Sequence, residues 1–114
     1  MAEANEEHRE YLLTVQNQVV DVCEAILCGE TSVLLGARTL SRLHYELFKQ
    51  IDDDFVLFIG IDSETDNLPI GDERKYWNEK VLVEKDKEIA EYEARVGHEV
   101  FDACQKLINR FSSR

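Results

Sequence analysis

The sequence predicts an all-α fold: an antiparallel helical bundle of three long helices, with one or two short helices and an acidic loop. Three observations predict it. Apolar residues recur at spacings of three and four through three long stretches, which is the period of one helix face. Loop chemistry is concentrated at Gly29 and in Asp62–Gly71, the segment that holds the single proline, Pro69. The one run that composition would allow as a strand, Phe55–Ile61, has only the stub Val81–Val83 to pair with.

The first helix is expected from about Glu7 to Cys28, where Leu12, Val15, Val19, Val22, Cys23 and Ile26 share a face. Gly29 is the expected stop, because glycine takes the left-handed conformation past a helix end without strain. Thr31 or Ser32 can cap a second helix, from about Ser32 to Gln50, whose inner face is Val33, Ala37, Leu40, Leu43 (or His44) and Leu47. The short connection predicts a hairpin of these two helices. Asp52–Asp54 suits a helix start, where capping oxygens and negative charge are both favourable, so Phe55–Ile61 is read as a short helix. Asp62–Gly71 is read as a loop, and Asp72 or Gly71 as the cap of a segment through Tyr76, Trp77 and Val81. The last helix is expected from about Glu84 to Phe111, with Ile89, Tyr92 (or Glu93), Val96, Val100, Cys104 and Leu107 inward. Gly36 and Gly97 interrupt two of these helices, either to let backbones approach or because they sit on outer faces.

The chain has 114 residues, of which 44% are apolar, enough to build the core of one domain over 1–114. Its 24 acids against 13 bases give a formal charge of −11, which argues against nucleic acid as a partner, since phosphate backbones are held by clustered bases. No apolar run is long enough to span a membrane. The opening residues lack the basic and apolar regions of a secretory signal, and the three cysteines, Cys23, Cys28 and Cys104, are odd in number. A cytoplasmic location with reduced, buried structural thiols is therefore expected.

Charge is unevenly distributed. Between Asp52 and Glu73 there are eight acids and no Lys or Arg. This makes the segment a candidate recognition face for a basic partner or a cation, set against a plain reading of helix caps and a solvated loop. Within it, Asp62, Glu64, Asp66 and Glu73 fall at positions 1, 3, 5 and 12 of a calcium loop. Asn67 at the sharp turn, where glycine is needed, and Pro69, which has no N–H to give, both oppose that reading, so no metal and no cofactor is expected. Arg38 and Arg42 share a helix face, and Arg74 ends the loop. These arginines are read as ties that order the acidic loop, or as part of a binding pocket with it. Tyr76 and Trp77 are candidate apolar anchors beside the acids. No catalytic residue is assigned: His8, His44 and His98 are isolated, and Ser63 lies in no nucleophile motif.

At Asp62–Gly71, read DSETDNLPIG, followed by Arg74 and Trp77 and preceded by Gly36-Ala37-Arg38, the chain resembles a family of small uncharacterised bacterial helical proteins. The resemblance implies a helical fold over most of the chain and specifies no activity. In size and acidity the chain also resembles the immunity proteins that neutralise bacterial toxins. That likeness implies an acidic surface offered to a basic toxin.

Taken together, these features point to a non-enzymatic interaction protein whose acidic face, residues 52–73, engages a basic protein. The alternatives are a carboxylate-based metal- or small-ligand-binding protein or enzyme, and a self-associating module, for which a homodimer is possible.

Overall fold

The computed structural model describes residues 2–112, and these contain four helices and no strand. Helix α1 spans Ala2–Cys28, α2 Val33–Leu47, α3 Val56–Glu64 and α4 Glu79–Phe111. Two 3-10 turns, Asp53–Phe55 and Asp72–Tyr76, lead into α3 and towards α4. No helix is long and apolar enough to cross a membrane among the described residues.

The α1–α2 junction follows from local chemistry. Gly29 has φ +82°, the left-handed conformation that ends a helix cheaply. The N–H groups of Glu30 and Thr31 bond back to Ala25, and Ser32 caps α2 by accepting from the N–H of Leu35 at 3.1 Å. Gly36 then lies against the Ile26 side chain, so closely that a Cβ there would collide with it. At the other end of α2, Glu46 accepts from the Tyr11 hydroxyl at 2.7 Å. The two contacts make α1 and α2 a hairpin. The other helical glycine singled out from sequence, Gly97, meets nothing within 4 Å and sits on an outer face.

The second helix ends three residues earlier than its sequence suggests, at Leu47 rather than Gln50. The cause is tertiary. Phe48 is extended (φ −134°, ψ 141°), and the chain turns back so that the N–H of Asp52 donates to Nε2 of the buried His44 at 2.9 Å. Asp52 in turn caps the turn Asp53–Phe55 by accepting from the N–H of Asp54. The ring of His44 lies within 5.5 Å of those of Phe48 and Phe55, and Phe55 within 6.3 Å of Phe111 on α4. Burial pushes the His44 pKa down.

Leu34, Leu40, Phe55, Phe58, Val100 and Leu107 are among the residues that form one core, drawn from all four helices. Phe55–Ile61 is helical, as the aspartate triplet suggests. Helix α3 packs chiefly on α2 and only lightly on α4. Helix α4 starts at Glu79, five residues before its expected start, because the Asn78 side chain caps it through the N–H of Lys80. Val81 therefore belongs to α4, and the expected segment 72–81 is a 3-10 turn that stops at Tyr76. Glu93 of α4 accepts from the N–H of Leu34 at the start of α2, and Arg110 holds Asp52 beyond its end, so α4 flanks α2 along its length.

Of the three thiols expected in the interior, Cys23 and Cys104 lie there. The Cys104 thiol beside Cys23, together with burial, holds the Cys23 pKa far above the usual thiol range. Cys28 is exposed, because it is the last residue of α1 and the chain turns away at Gly29.

Candidate functional site: an acidic seam between two helices

Most of the carboxylates of the 52–73 segment are already engaged by the protein's own groups. Arg110 reaches both Asp52 and Asp54 at 2.8 Å, and its guanidinium holds the Asp52 carboxyl below the usual range. Arg38 pairs with Glu73 at 2.8 Å and with Asp62 at 3.7 Å, and donates to the Thr65 carbonyl at 3.4 Å. The Arg38 guanidinium, helped by backbone N–H groups, pulls the Glu73 pKa down to about 2. Arg74 forks onto Asp86 at 2.7 and 3.0 Å and donates to the Pro69 carbonyl at 3.0 Å. Arg38 and Arg74 thus tie the loop to α2 and α4. Arg42, one turn from Arg38, is exposed and faces solvent instead.

The expected loop Asp62–Gly71 begins in a helix. Asp62 and Glu64 fall in the last turn of α3, and their side chains diverge, Asp62 towards Arg38 and Glu64 towards α4. Asp66 is exposed. The calcium spacing therefore does not close into a cage, and among the described residues no three His, Cys, Asp or Glu side chains form a set able to hold a metal ion. Tyr76 is 81% exposed beneath Lys75, while Trp77 is half-buried where the 3-10 turn ends.

What the fold does bring together is a seam between α3 and α4. At one end, Asp53, Asp54 and Leu57 face Glu99, Asp102, Ala103 and Lys106 across a cleft of about 280 Å³. At the other end, Glu64, Thr65, Asn67 and Leu68 face Glu88, Glu91, Tyr92 and Arg95 across about 320 Å³. Rising numbers on one wall meet falling numbers on the other, so α3 runs antiparallel to this part of α4. The walls carry seven carboxylates and two bases. Within this second cleft the Tyr92 hydroxyl donates to Glu64 at 2.5 Å, and the Arg95 guanidinium lies 5.2 Å from the Tyr92 ring centre. Burial, then the Glu64 carboxylate, pushes the Tyr92 pKa up to about 12, so the phenol keeps its proton and remains a donor.

Comparison with protein-family models, with curated proteins and with solved structures gives no match for this chain. The site therefore has to be read from its own geometry.

Of the acidic-loop, arginine and aromatic site residues expected from sequence, Glu64 lines this seam. Asp53 and Asp54, from the same acidic run, line it too. The α4 wall is the part that sequence reasoning missed. Its signal was present: Glu88, Glu91, Arg95, Glu99, Asp102 and Lys106 recur every three or four residues beside the apolar stripe. Such a stripe reads as a solvated helix face until a second helix is known to lie alongside.

Proposed function

We propose that this protein is a non-enzymatic interaction module whose acidic seam between α3 and α4 engages a basic protein partner. One observation carries the reading. The carboxylates at Asp52, Asp62 and Glu73 are held by internal arginines, whereas Asp53, Glu91 and Glu99 line the seam with no ion-pair partner among the described residues. A negative field that the fold leaves uncompensated along a cleft attracts and orients a positive surface. The recognition face is thus wider than the 52–73 segment, since half of it comes from α4. Capture of a basic toxin, in the manner of small acidic immunity proteins, is the version of this role that the size and charge favour.

The test is association with a basic partner captured at low ionic strength, repeated with Asp53→Lys, Glu91→Lys and Glu99→Lys combined. The expected result is an association rate that falls at least tenfold and loses most of its salt dependence. Unchanged capture by the triple variant would remove the reading. Charge reversal at Asp62 and Glu73 is the control, because it tests the loop ties and not the seam.

A further inference from the structure

The connection between α2 and α3 is anchored at few points. Lys49, Gln50, Ile51 and Asp53 are exposed, and residues 48–52 belong to no helix or strand. Two side chains from outside the connection hold it. His44 accepts the Asp52 N–H through Nε2 at 2.9 Å, and Arg110 of α4 grips the Asp52 and Asp54 carboxylates at 2.8 Å. Asp52 passes the restraint on by accepting from the N–H of Asp54.

Of these two anchors, His44 is the one whose bonding depends on a proton. It is fully buried, against the rings of Tyr45, Phe48 and Phe55. A neutral imidazole has one donor and one acceptor nitrogen. Because Nε2 accepts, the proton stands on Nδ1, which finds no acceptor among the described residues. Only the neutral ring can hold the Asp52 N–H. Protonation makes Nε2 a donor as well, so that two donors confront each other in a buried place. The surrounding groups do not cancel this. The Asp52 carboxylate and the Gln50 carbonyl favour a charged ring, but burial outweighs them. Arg110 brings positive charge from α4 and already engages the Asp52 carboxylate. Beside Tyr45 and Phe48 stand His8 of α1, Glu46 of α2 and Lys49 of the connection, and Glu46 is engaged by the Tyr11 hydroxyl. The conflict is therefore relieved by movement of the exposed connection, which lets water or the Gln50 carbonyl replace the Asp52 N–H at the ring.

We propose that the α2–α3 connection is an acid-operated latch: protonation of His44 expels the Asp52 N–H and frees residues 48–54 while the four helices stay packed. The released segment draws Asp52 and Asp54 away from Arg110, so acid uncovers an arginine and two carboxylates that neutral pH keeps paired. The latch works whatever the acidic seam binds.

Amide hydrogen exchange of the full chain, followed by NMR at about pH 7.5 and about pH 5, tests the latch. An open form with an ordinary histidine gains up to about 30-fold in population over this interval. The expected result is that protection of the Asp52 and Asp54 amides falls roughly tenfold or more. At the lower pH it is expected to lie well below that of Val100 in the core and to be insensitive to urea below about 1 M, because a local opening exposes little surface. His44→Gln is expected to abolish the pH step at Asp52. Arg110→Gln is expected to lower Asp52 protection at both pH values and leave the step in place. Three results would overturn the proposal. The first is Asp52 protection that does not change with pH. The second is Asp52 and Val100 sharing one protection and one urea slope at the lower pH, which would mean that the whole chain unfolds. The third is a step that disappears with Arg110 and survives the loss of His44, which would assign it to the carboxylates.

Discussion

At the scale of single residues, the tightest steric constraint is Gly36. Its neighbour Ile26 is buried, so the clash that a methyl group would create cannot be relieved by swinging the isoleucine into solvent. Gly36→Ala is expected to destabilise the protein by about 1–3 kcal/mol despite the better helix propensity of alanine, as thermal or urea unfolding would show. His44 and Glu73 contribute to the pH dependence, beside Asp52 and Asp86, whose carboxyls their arginines hold below the usual range. His44 is buried with Nδ1 unpartnered among the described residues, and its pKa is lowered from 6.5. Below that value the unfolded chain binds the proton and the folded chain resists it. Stability is therefore complete above pH 6.5 and falls as the pH drops towards the folded value. His44→Gln, which keeps an acceptor for the Asp52 N–H, is expected to flatten the fall of the unfolding free energy below about pH 6.5. Glu73 acts lower on the scale. Its carboxylate contributes above its ordinary value of 4.5 and loses that contribution as the pH falls towards about 2. Arg38→Gln is expected to remove this acid-limb slope, measured as the unfolding midpoint against pH.

At the scale of elements, α3 is the anomaly. It begins well, with Asp52 capping the turn before it, and its inner residues Phe58 and Ile61 are buried in the core. Its outer side carries the glycine. Since nothing among the described residues stands within 4 Å of a Cβ at Gly60, Gly60→Ala removes only the conformational cost of glycine in a helix. It is expected to raise stability by about 1 kcal/mol, read as an increased unfolding midpoint. The opposite expected signs at Gly36 and Gly60 separate a glycine that the fold requires from one that it does not. The helix ends show the same division between local and distant causes. The start of α2 at Ser32 and the stop at Gly29 follow from side-chain and backbone preferences, and both are legible in the sequence. The end of α2 is not, because it depends on His44 meeting the Asp52 N–H eight residues on.

At the scale of the whole molecule, charge and shape act together. The 33 residues of α4 set the long dimension of a body measuring 56 × 28 × 24 Å. A charge of −11 over this small surface leaves repulsion that the internal arginines offset only at a few places. Raising the salt concentration is expected to increase the unfolding midpoint, because screening relieves many repulsions and weakens few partly exposed pairs. A midpoint that falls with salt would show that the arginine ties outweigh the excess charge.

The sequence by itself determined the all-helical class, the first helix from Glu7 to its glycine stop though not its start at Ala2, and the helical character of Phe55–Ile61. These rest on periodicity, capping and turn chemistry within a few residues. It also located an acidic run and the arginines near it. Only the tertiary structure decided which acids each arginine takes up: Arg38 reaches Asp62 and Glu73, Arg110 reaches Asp52 and Asp54, and Arg74 turns to Asp86. It also decided that Asp53, Asp54 and Glu64 face carboxylates of α4 across two clefts. The reason is geometric. A charged residue's effect depends on what lies within a few ångströms of it, and here those neighbours are up to 58 residues away in the chain.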